Sequence, residues 1–559
     1  MRHKVARLSR VLYLWCLLKR AVLSCFFGTY QTPLSVNWMG IDHMRLRLIL
    51  FRRGFGWRGV VIGTNLVLQS QREKGVRFYS QMKRVSPMEP LEQSALALQA
   101  MLDSKQISAA EVMQATLARI DAVNGSVNAV VSLRDHDALM AEAAQADATP
   151  RRGPLHGLPM AIKDLADAKG LPTSMGSPIY AGQVATSDAL MVARLRAAGA
   201  IIIGKTNTPE FGLGSHTFNP VHGVTRNPYD LSRSAGGSSG GAAVALSTRM
   251  LALADGSDMM GSLRNPAAWN NIYGLRPSWG LVPSSTTGES FLHQLSTLGP
   301  MARSPRDIAA LLEVQAGSDP RVPHGRCESG FMPDLDSDLT GKRIGWLGDW
   351  GGAYPMEPGI LELSQDALNT LSDLGAEVEE LAPPFEAAQL WESWTQLRSW
   401  ALLGDSAGVY DDLETRNALK PAMIWEIEHG LSLSALQVHA ASVIRSEWFR
   451  KAAALFAVYD ALILPSTQVW PFPADWVHPQ QINGVAMDTY HRWMEVVIPV
   501  SLIGLPALNI PVGFSSGGLP MGLQIFGPLG ADKALLELGQ AWHRATNWPN
   551  VRPPDIGFF

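Results

Sequence analysis

The sequence predicts a single large α/β domain. A capping box formed by Ser108 and Glu111 opens one helix. Residues 187–198 carry apolar side chains at helical spacing and lead through a glycine into an apolar run at 201–203, which is typical of a buried strand. A similar strand is indicated at 341–347, again followed by a helix. Buried strands that alternate with helices are characteristic of the α/β class.

Composition excludes several other classes of protein. The chain has 559 residues, of which 46% are hydrophobic, with 51 glycines and 36 prolines, so it is long and apolar enough to bury a large core. Its three cysteines, Cys16, Cys25 and Cys327, cannot build a disulfide framework, and no CxxC or Cys/His cluster indicates zinc. We therefore expect a reduced, cytoplasmic location and no metal.

The first 84 residues differ in charge from the remainder. They hold 16 Lys and Arg and only two acids, whereas the whole chain has 47 basic and 50 acidic side chains. The apolar run at 11–18 is broken by two basic residues and is shorter than the ~20 residues that span a bilayer. We interpret residues 1–84 as a basic leader outside the folded domain, either a targeting segment or sequence upstream of a true start at Met82. The domain is then residues 85–559, and its acidic balance argues against nucleic-acid binding.

Three segments carry residues suited to acyl transfer. They are residues 157–164 (GLPMAIKD), 234–241 (SAGGSSGG) and 258–267 (DMMGSLRNPA). Four glycines in the six residues 236–241 allow positive φ and close backbone approach, and serines in such a frame lie beside bare N–H groups. An unactivated serine is a weak nucleophile, so a base must lie within hydrogen-bond reach.

Two familiar motifs match parts of the chain, and context argues against both. Residues 199–206 (GAIIIGKT) fit the phosphate-loop pattern, but the middle of the match is strand-like and a helix precedes it, so Lys205 is expected to be an ordinary surface lysine. Residues 236–240 fit the GxSxG elbow with Ser238 as nucleophile. That elbow follows a hydrophobic strand, whereas residues 226–234 are polar.

Together the three segments resemble the amidase signature family in content, order and spacing. The resemblance implies a mixed central sheet covered by helices and amide hydrolysis without metal or cofactor. It also implies that Ser262 is the nucleophile that becomes acylated, that Ser238 is a bridging serine joined to Gly237 by a cis peptide bond, and that Lys163 is the terminal base. These three catalytic candidates lie 75 and 24 residues apart.

The same resemblance implies an oxyanion hole and a set of supporting residues. The oxyanion hole would consist of the backbone N–H groups of Met259, Met260, Gly261 and Ser262. The supporting residues would be Gly237, Ser239, Asp258 and Arg264.

The family pattern before the nucleophile is Thr-Gly-Gly-Ser, and Met259 and Met260 replace its first two residues here. Two thioether side chains would narrow the acyl site and favour hydrophobic or aryl amides. We expect the remaining selectivity to come from a helical region at about 385–480. Its tryptophans are Trp391, Trp394, Trp400, Trp425, Trp448, Trp470 and Trp476.

We therefore expect an amidase that converts a linear carboxylic amide to an acid and ammonia or an amine. The alternative within the family is the glutamine-amidase subunit of a tRNA-dependent amidotransferase. A binding protein on an inactive scaffold is disfavoured while Lys163, Ser238 and Ser262 are all present. The expected partner is a small-molecule amide, with no nucleic acid and no stable membrane span, and a homodimer is left open.

Overall fold

The computed structural model describes residues 90–284 and 288–556, together with the backbone of three earlier strands. The chain divides into two units, Met1–Val85 and Ser86–Phe559, next to the boundary that the charge pattern predicts. Within the first unit the strands form an antiparallel sheet, which the sequence interpretation did not anticipate: β1 Ser35–Gly40, β2 Met44–Leu50 and β3 Val60–Asn65. The apolar run at 11–18 and Met82 lie outside the described residues.

The second unit contains a small sheet that ends beside the candidate site. Its strands are β4 Val130–Val131, β5 Pro159–Lys163 and β6 Ile201–Thr206, in the order β4-β6-β5. β5 and β6 are parallel, and every residue in both strands is buried. Parallel strands covered on both faces read as continuous apolar runs, as these do. The predicted strands ending at Lys163 and spanning 201–203 are confirmed.

Along the chain, four short strands follow the small sheet and precede the central sheet, and they form two antiparallel ribbons. They are β7 Phe218–Asn219, β8 Gly223–Val224, β9 Arg226–Asn227 and β10 Asp230–Ser234. β10 precedes the glycine-serine segment directly.

The central sheet has eight strands and is mixed, which confirms the predicted α/β class. In chain order its strands are β11 Leu253–Asp258, β12 Tyr273–Arg276, β13 Thr297–Ala302, β14 Arg343–Trp346, β15 Glu377–Glu380, β16 Ala461–Pro465, β19 Ala507–Phe514 and β20 Pro520–Phe526; β17 Gln481–Ile482 and β18 Val485–Ala486 form a separate ribbon. The order across the sheet is β11-β13-β12-β19-β20-β16-β14-β15. β14 is parallel to β15 and β16, and the other pairs are antiparallel.

Helices cover the sheets. They are α1 Ala95–Asp103, α2 Ala109–Val127, α3 His136–Ala148, α4 Leu190–Ala197, α5 Gly240–Ser247, α6 Asn265–Trp269, α7 Pro305–Gln315, α8 Ile360–Asp373, α9 Ala387–Asp411, α10 Leu413–Ala418, α11 Pro421–Ser432, α12 Ala435–Leu455, α13 Ile498–Ser501, α14 Asp532–Thr546 and α15 Trp548–Val551. The predicted capping box of α2 is present, with reciprocal bonds between Ser108 and Glu111. Among the described helices, none is long and apolar enough to cross a membrane.

Helix α5 lies between the two sheets and positions the glycine-serine segment. It contacts β11 and β13 on one side and β6 on the other, and all eight of its residues are buried. Its sequence, GGAAVALS, consists of small and apolar residues because it is covered all round. A Cβ on Gly241 would lie 2.3 Å from the backbone nitrogen of Asn207, so only glycine permits this approach. Ser238 and Ser239 therefore sit at the helix N-terminus, between the sheets.

The Trp-rich region is helical over only part of its predicted length. Helices α9 to α12 occupy most of residues 387–455, but residues 461–465 form strand β16 of the central sheet, so the prediction of helix up to about 480 is wrong there. A run of five buried residues, ALILP, cannot be told from a helix by periodicity alone. Trp394 and Trp448 are fully buried core residues, whereas Trp476 is 48% exposed.

A chain that begins at Met82 should be as stable and as active as the full chain. Residues 90–96 are hydrogen-bonded to the remainder of the second unit. Arg303 donates to the carbonyls of Leu91 and Gln93 at 3.2 and 2.6 Å, and the Leu96 N–H donates to Asp307 at 3.1 Å. A start at Met82 keeps these bonds. Thermal unfolding and amide turnover of the two forms would measure this.

The matched control is a chain that begins at Leu98, which loses those acceptors and leaves buried N–H groups of Arg303 unpaired. Each such loss costs ~1–3 kcal/mol, so this form should melt well below the other two. Aggregation or inactivity of the Met82 form would show that earlier residues belong to the folded domain.

Candidate active site

The side chain of Lys163 ends among three serine hydroxyls. Its Nζ lies 2.8 Å from Ser238 Oγ, 2.9 Å from Ser239 Oγ and 3.0 Å from Ser257 Oγ. It also reaches the carbonyl of Ser257 at 3.4 Å. Lys163 is the last residue of β5 and is only 1% exposed. The structure therefore brings the predicted base and the predicted bridging serine into direct hydrogen-bond contact.

Burial lowers the pKa of Lys163 to about 7, and the nearby carboxylates of Asp255 and Asp258 partly oppose this effect. The Asp255 carboxylate accepts the backbone N–H of Lys163 at 3.1 Å but makes no hydrogen bond to its amine. Burial raises the pKa of Asp255 to about 6. A lysine normally titrates near 10.4, so here an appreciable neutral fraction exists at physiological pH. A neutral amine in a buried site can accept a proton.

The peptide bond between Gly237 and Ser238 is cis. Neighbouring hydroxyls bind the carbonyl of this peptide bond and the carbonyl before it: Ser215 Oγ donates to the Gly237 carbonyl at 2.6 Å and Thr217 Oγ1 donates to the Gly236 carbonyl at 2.8 Å. Thr217 also approaches Gly240, where a Cβ would lie 2.3 Å from Oγ1. Close packing against residues 215–217 thus accounts for glycine at positions 237 and 240.

Ser239 links the glycine-serine segment to the segment that contains Ser257 and Ser262. Its hydroxyl accepts from Lys163 and lies 3.3 Å from the Ser257 carbonyl, to which it donates. Its backbone N–H donates to the carbonyl of Ser262 at 3.4 Å. Ser239 occupies the N-cap position of α5, but its side chain makes no capping bond to the helix. The hydroxyl is thus directed toward Lys163 and not used as a cap.

Ser262 lies in a tight turn that begins after β11. Gly261 has a φ of 80°, and a Cβ there would lie 2.6 Å from the Asn265 side chain, so the turn needs glycine on both counts. The Ser262 side chain is 7% exposed, and its hydroxyl makes no hydrogen bond to any residue that the structure describes. Ser262 is thus buried, and its hydroxyl is not engaged by any described residue.

The backbone donors around Ser262 are not equivalent. The Gly261 N–H already donates to Asp258 Oδ1 at 2.9 Å. The N–H groups of Met259, Met260 and Ser262 have no acceptor among the described residues. Three of the four predicted oxyanion donors are therefore free, and the fourth holds the shape of the loop.

The Asp258 carboxylate is the anchor of this loop. Arg264 binds it through Nε at 3.1 Å and Nη2 at 3.0 Å, and Arg276 Nη1 lies 3.1 Å from Oδ1. The N–H of Leu263 donates to Oδ2 at 3.0 Å. Burial raises the pKa of Asp258, but the two guanidinium groups and these hydrogen bonds hold it well below its usual range. Asp258 therefore stays ionised, and of the four predicted supporting residues Asp258 and Arg264 hold this loop.

The sequence interpretation missed three residues that contact Lys163 or Asp258 in the candidate site. Asp255 and Ser257 are two residues apart on β11, and Arg276 lies on β12. A carboxylate within an otherwise small and apolar strand was the available signal for Asp255. No local signal marked Arg276. It lies on β12 and contacts Asp258 on β11, and the two strands are separated by β13 in the assembled sheet.

The two rejected motifs have clear structural outcomes. Residues 201–206 form strand β6, so the phosphate-loop match has no loop. The expectation that Lys205 lies on the surface is wrong: it is fully buried, and its Nζ donates to the Ala166 carbonyl at 2.6 Å and to Thr173 Oγ1 at 3.1 Å. Strand β10, before Ser238, is a polar member of a two-stranded ribbon and not the buried strand of a GxSxG elbow.

The two methionines of the 259–262 loop, Met259 and Met260, differ in burial and in contacts. Met260 is 4% exposed and packs in the main hydrophobic core, which corrects the expectation that both thioethers line the acyl site. Met259 is only partly buried, and its sulfur lies 2.9 Å from Nη1 of Arg398 on α9. Arg398 in turn donates to Tyr490 Oη at 2.9 Å and to Glu426 Oε1 at 2.7 Å.

A largely apolar cavity of about 590 Å³ adjoins these residues. Leu419, Trp425 and Tyr490 are among its walls. Glu210, another wall residue, belongs to the short turn Glu210–Gly212. The far end of that turn packs on the catalytic candidates, since a Cβ on Gly212 would lie 3.5 Å from Ser238 Oγ. Two elements that line this cavity thus also contact the candidate site, the Glu210–Gly212 turn through Ser238 and Tyr490 through Arg398. Among the described residues, no group of three or more His, Cys, Asp or Glu is arranged to hold a metal ion.

Comparisons with known proteins identify the family of this chain. The chain matches the Amidase family over residues 111–536. It is 32% identical over 474 residues to an acylamidase from Rhodococcus erythropolis, a match that covers 83% of this chain and 97% of the relative. It is 36% identical over 481 residues to the A subunit of the glutamyl-tRNA(Gln) amidotransferase from Roseiflexus sp. (strain RS-1), covering 81% and 96%.

Solved structures give the same result. A bacterial aryl acylamidase of the amidase signature enzymes superposes with a TM-score of 0.77 at 29% identity, covering 82% of this chain and 99% of the other. A 6-aminohexanoate cyclic dimer hydrolase complexed with substrate superposes with a TM-score of 0.74 at 26% identity, covering 83% and 99%. With the family match and relatives that align over most of both chains, this protein belongs to the amidase family, the amidase signature enzymes.

Proposed function

We propose that this protein hydrolyses a carboxylic amide to an acid and ammonia or an amine, through an acyl-enzyme on Ser262. The observation that carries the proposal is the buried amine of Lys163, whose pKa is lowered to about 7 and which lies 2.8 Å from the hydroxyl of Ser238. A base near neutrality, in contact with a serine at the head of a helix, is suited to activating a second serine.

In the proposed reaction the Ser262 oxygen attacks the amide carbonyl carbon. Its proton passes to the Ser238 oxygen, while the Ser238 proton passes to the neutral amine of Lys163. The carbonyl oxygen becomes an oxyanion that accepts from free backbone N–H groups of the 259–262 loop. Collapse breaks the C–N bond, and the proton returns through Ser238 to the leaving nitrogen. Water then repeats the sequence on the ester, releasing the acid and free Ser262.

The oxyanion donors proposed here are the N–H groups of Met259, Met260 and Ser262, which have no acceptor among the described residues. Preorganised donors are effective because they need no rearrangement as charge develops, and removal of one costs ~3 kcal/mol of transition-state stabilisation. The bond from the Gly261 N–H to Asp258 supports this arrangement by holding the loop in one conformation.

The substrate class we propose is an amide with a hydrophobic or aryl substituent. The cavity of about 590 Å³ is of the size that holds drug-like ligands, and its walls include the aromatic rings of Trp425 and Tyr490. The similarity to an acylamidase and to an aryl acylamidase supports the same class.

The second candidate function is the glutamine-hydrolysing component of an amidotransferase. The 36% identity to the A subunit of a glutamyl-tRNA(Gln) amidotransferase favours it. The two functions separate in one assay: turnover of aryl amides by the purified chain supports the proposal, whereas hydrolysis confined to glutamine in the presence of partner subunits supports the alternative.

Ser262→Ala should abolish both amide turnover and covalent labelling by a fluorophosphonate probe. Loss of the nucleophile is expected to reduce kcat by roughly 10⁴-fold or more. The exposed Ser232→Ala, on the ribbon before the loop, serves as the matched control and should retain both activities. If labelling persists in Ser262→Ala and disappears in Ser238→Ala, Ser238 is the nucleophile and the relay proposed here is wrong.

The pH dependence of kcat/KM should show an acid limb governed by Lys163. The neutral amine is the active form, so activity should fall about tenfold per unit as pH drops below the lysine's pKa of about 7. Asp255 raises that pKa by stabilising the charged form, so Asp255→Asn should move the acid limb to lower pH while keeping an acceptor for the Lys163 N–H.

Profiles of kcat/KM from pH 5 to 9 would measure the shift, with the surface variant Asp230→Asn as a charge-matched control that leaves the limb in place. An acid limb unmoved in Asp255→Asn, or moved to higher pH, would mean that Lys163 is not the titrating base.

Trp425→Leu should reduce selectivity for bulky amides. Removing the indole from the cavity should lower kcat/KM for an anilide by about tenfold relative to that for acetamide, since a few methylenes in a pocket are worth ~1–3 kcal/mol. Trp476→Leu is the control, because Trp476 is exposed and does not line the cavity. An unchanged ratio in a folded Trp425→Leu protein would place the substrate elsewhere.

A further inference from the structure

A separate cavity of about 570 Å³ lies on a different part of the second unit. It is bounded by the 502–504 loop, the 324–326 turn and the middle of helix α12. None of its lining residues lines the cavity formed in part by Trp425 and Tyr490. Its volume falls in the range that holds small organic ligands.

The polar side of this cavity is strongly basic. Arg326, Arg445 and Arg450 all line it, and the described lining residues include no Asp or Glu. Arg326 pairs with Glu328, which lies outside the lining. Arg445 makes no hydrogen bond or ion pair with any described residue, and burial lowers the pKa of its guanidinium with no acid to offset the effect. The cavity therefore holds a half-buried cation without a counterion among the described residues.

Two further nitrogen atoms in the cavity wall lack partners. Arg326 Nε and His324 Nε2 are buried and have no hydrogen-bond partner within the part of the chain that the structure describes. These two atoms are enclosed within the wall, so the group that lines the cavity without a partner among the described residues is the Arg445 guanidinium. Guanidinium groups match the oxygens of carboxylates and phosphates in geometry and charge.

The remaining walls are apolar and partly aromatic. Trp279 stacks at a tilt on the His324 ring, with centroids 5.3 Å apart. Phe449, one turn after Arg445 on α12, is 39% exposed and also lines the cavity. An aromatic body could pack against these rings while an anionic group meets the arginines.

We propose that this cavity binds a small organic anion, with its carboxylate or phosphate oxygens on Arg445 and Arg326 and its aromatic body against Trp279 and Phe449. The proposal is independent of the amide-hydrolysis proposal, because it uses none of the catalytic candidates.

The probe is 2-naphthoate, measured by isothermal titration calorimetry on the Ser262→Ala protein so that no acyl-enzyme can form; the cavity variants below assign the measured binding to this cavity. One site per chain is expected. The neutral 2-naphthalenemethanol and inorganic phosphate should each bind about tenfold more weakly. The first lacks the anionic group that meets the arginines, and the second lacks the aromatic body that packs on the rings. A parallel titration with 2-naphthyl phosphate distinguishes a phosphate ligand, if tighter, from a carboxylate ligand.

Arg445→Met in the same background should raise the Kd for 2-naphthoate by about tenfold. Lys451→Met removes an exposed positive charge from the same helix outside the cavity and should leave the Kd unchanged. Ser446→Glu places a negative charge on the cavity wall and should also abolish binding, which covers the case in which Arg445→Met does not fold. Thermal unfolding checks the fold of each variant.

Absence of 2-naphthoate binding overturns the proposal. So does a Kd that is unchanged in folded Arg445→Met and Ser446→Glu proteins. Equal affinity for inorganic phosphate and 2-naphthoate would overturn the assignment of an organic ligand, since the aromatic walls would then contribute nothing.

Discussion

The candidate active site depends on one buried carboxylate. Asp258 ends a strand of the central sheet and is bound by the guanidinium groups of Arg264 and Arg276, both fully buried. The same carboxylate accepts two N–H groups of the loop that carries Ser262. Removing one partner from a buried ion cluster typically costs ~3–5 kcal/mol, because the remaining charge is left unpaired. The loop therefore cannot change shape without exposing buried charges to an apolar interior.

The two arginines also connect this carboxylate to other elements of the second unit. Arg264 donates to Gln524 Oε1 at 2.5 Å and to Ser501 Oγ at 2.6 Å. Arg276 donates to the Leu295 carbonyl at 2.8 Å. The shape of the 259–262 loop is thus set by residues on several elements. Its backbone N–H groups are held in fixed positions, as stabilisation of a developing charge requires.

Two buried lysines on adjacent strands illustrate how environment sets their roles. Lys205 on β6 lies 3.5 Å from the Asp164 carboxylate and donates to a backbone carbonyl, so its charge is compensated locally. Lys163 on β5 contacts hydroxyl groups, while Asp255 binds its backbone N–H and not its amine. Burial lowers the pKa of both lysines, but only Lys163 lacks a direct carboxylate partner. This difference makes Lys163 the group suited to proton transfer.

Much of the chemistry was legible in the sequence because it depends on local backbone requirements. Gly240, Gly241 and Gly261 are needed where a Cβ would collide with neighbouring atoms, and such requirements leave a recognisable run of glycines next to the serines. The strands ending at Lys163 and spanning Ile201–Thr206 were likewise predictable, since burial on both faces demands continuous apolar residues.

Other features were decided only by the tertiary structure. Arg276 and Arg398 lack a local pattern, because each contacts a segment that is distant in the chain. Lys205 was mistaken for a surface residue because its compensating partners come from outside its own strand. By itself the sequence determined which residues are candidates for chemistry and where the backbone needs glycine, since both depend on neighbours in the chain. The protonation of Lys163, the anchoring of Asp258 and the walls of both cavities depend on groups brought together from distant segments, and only the folded chain decides them.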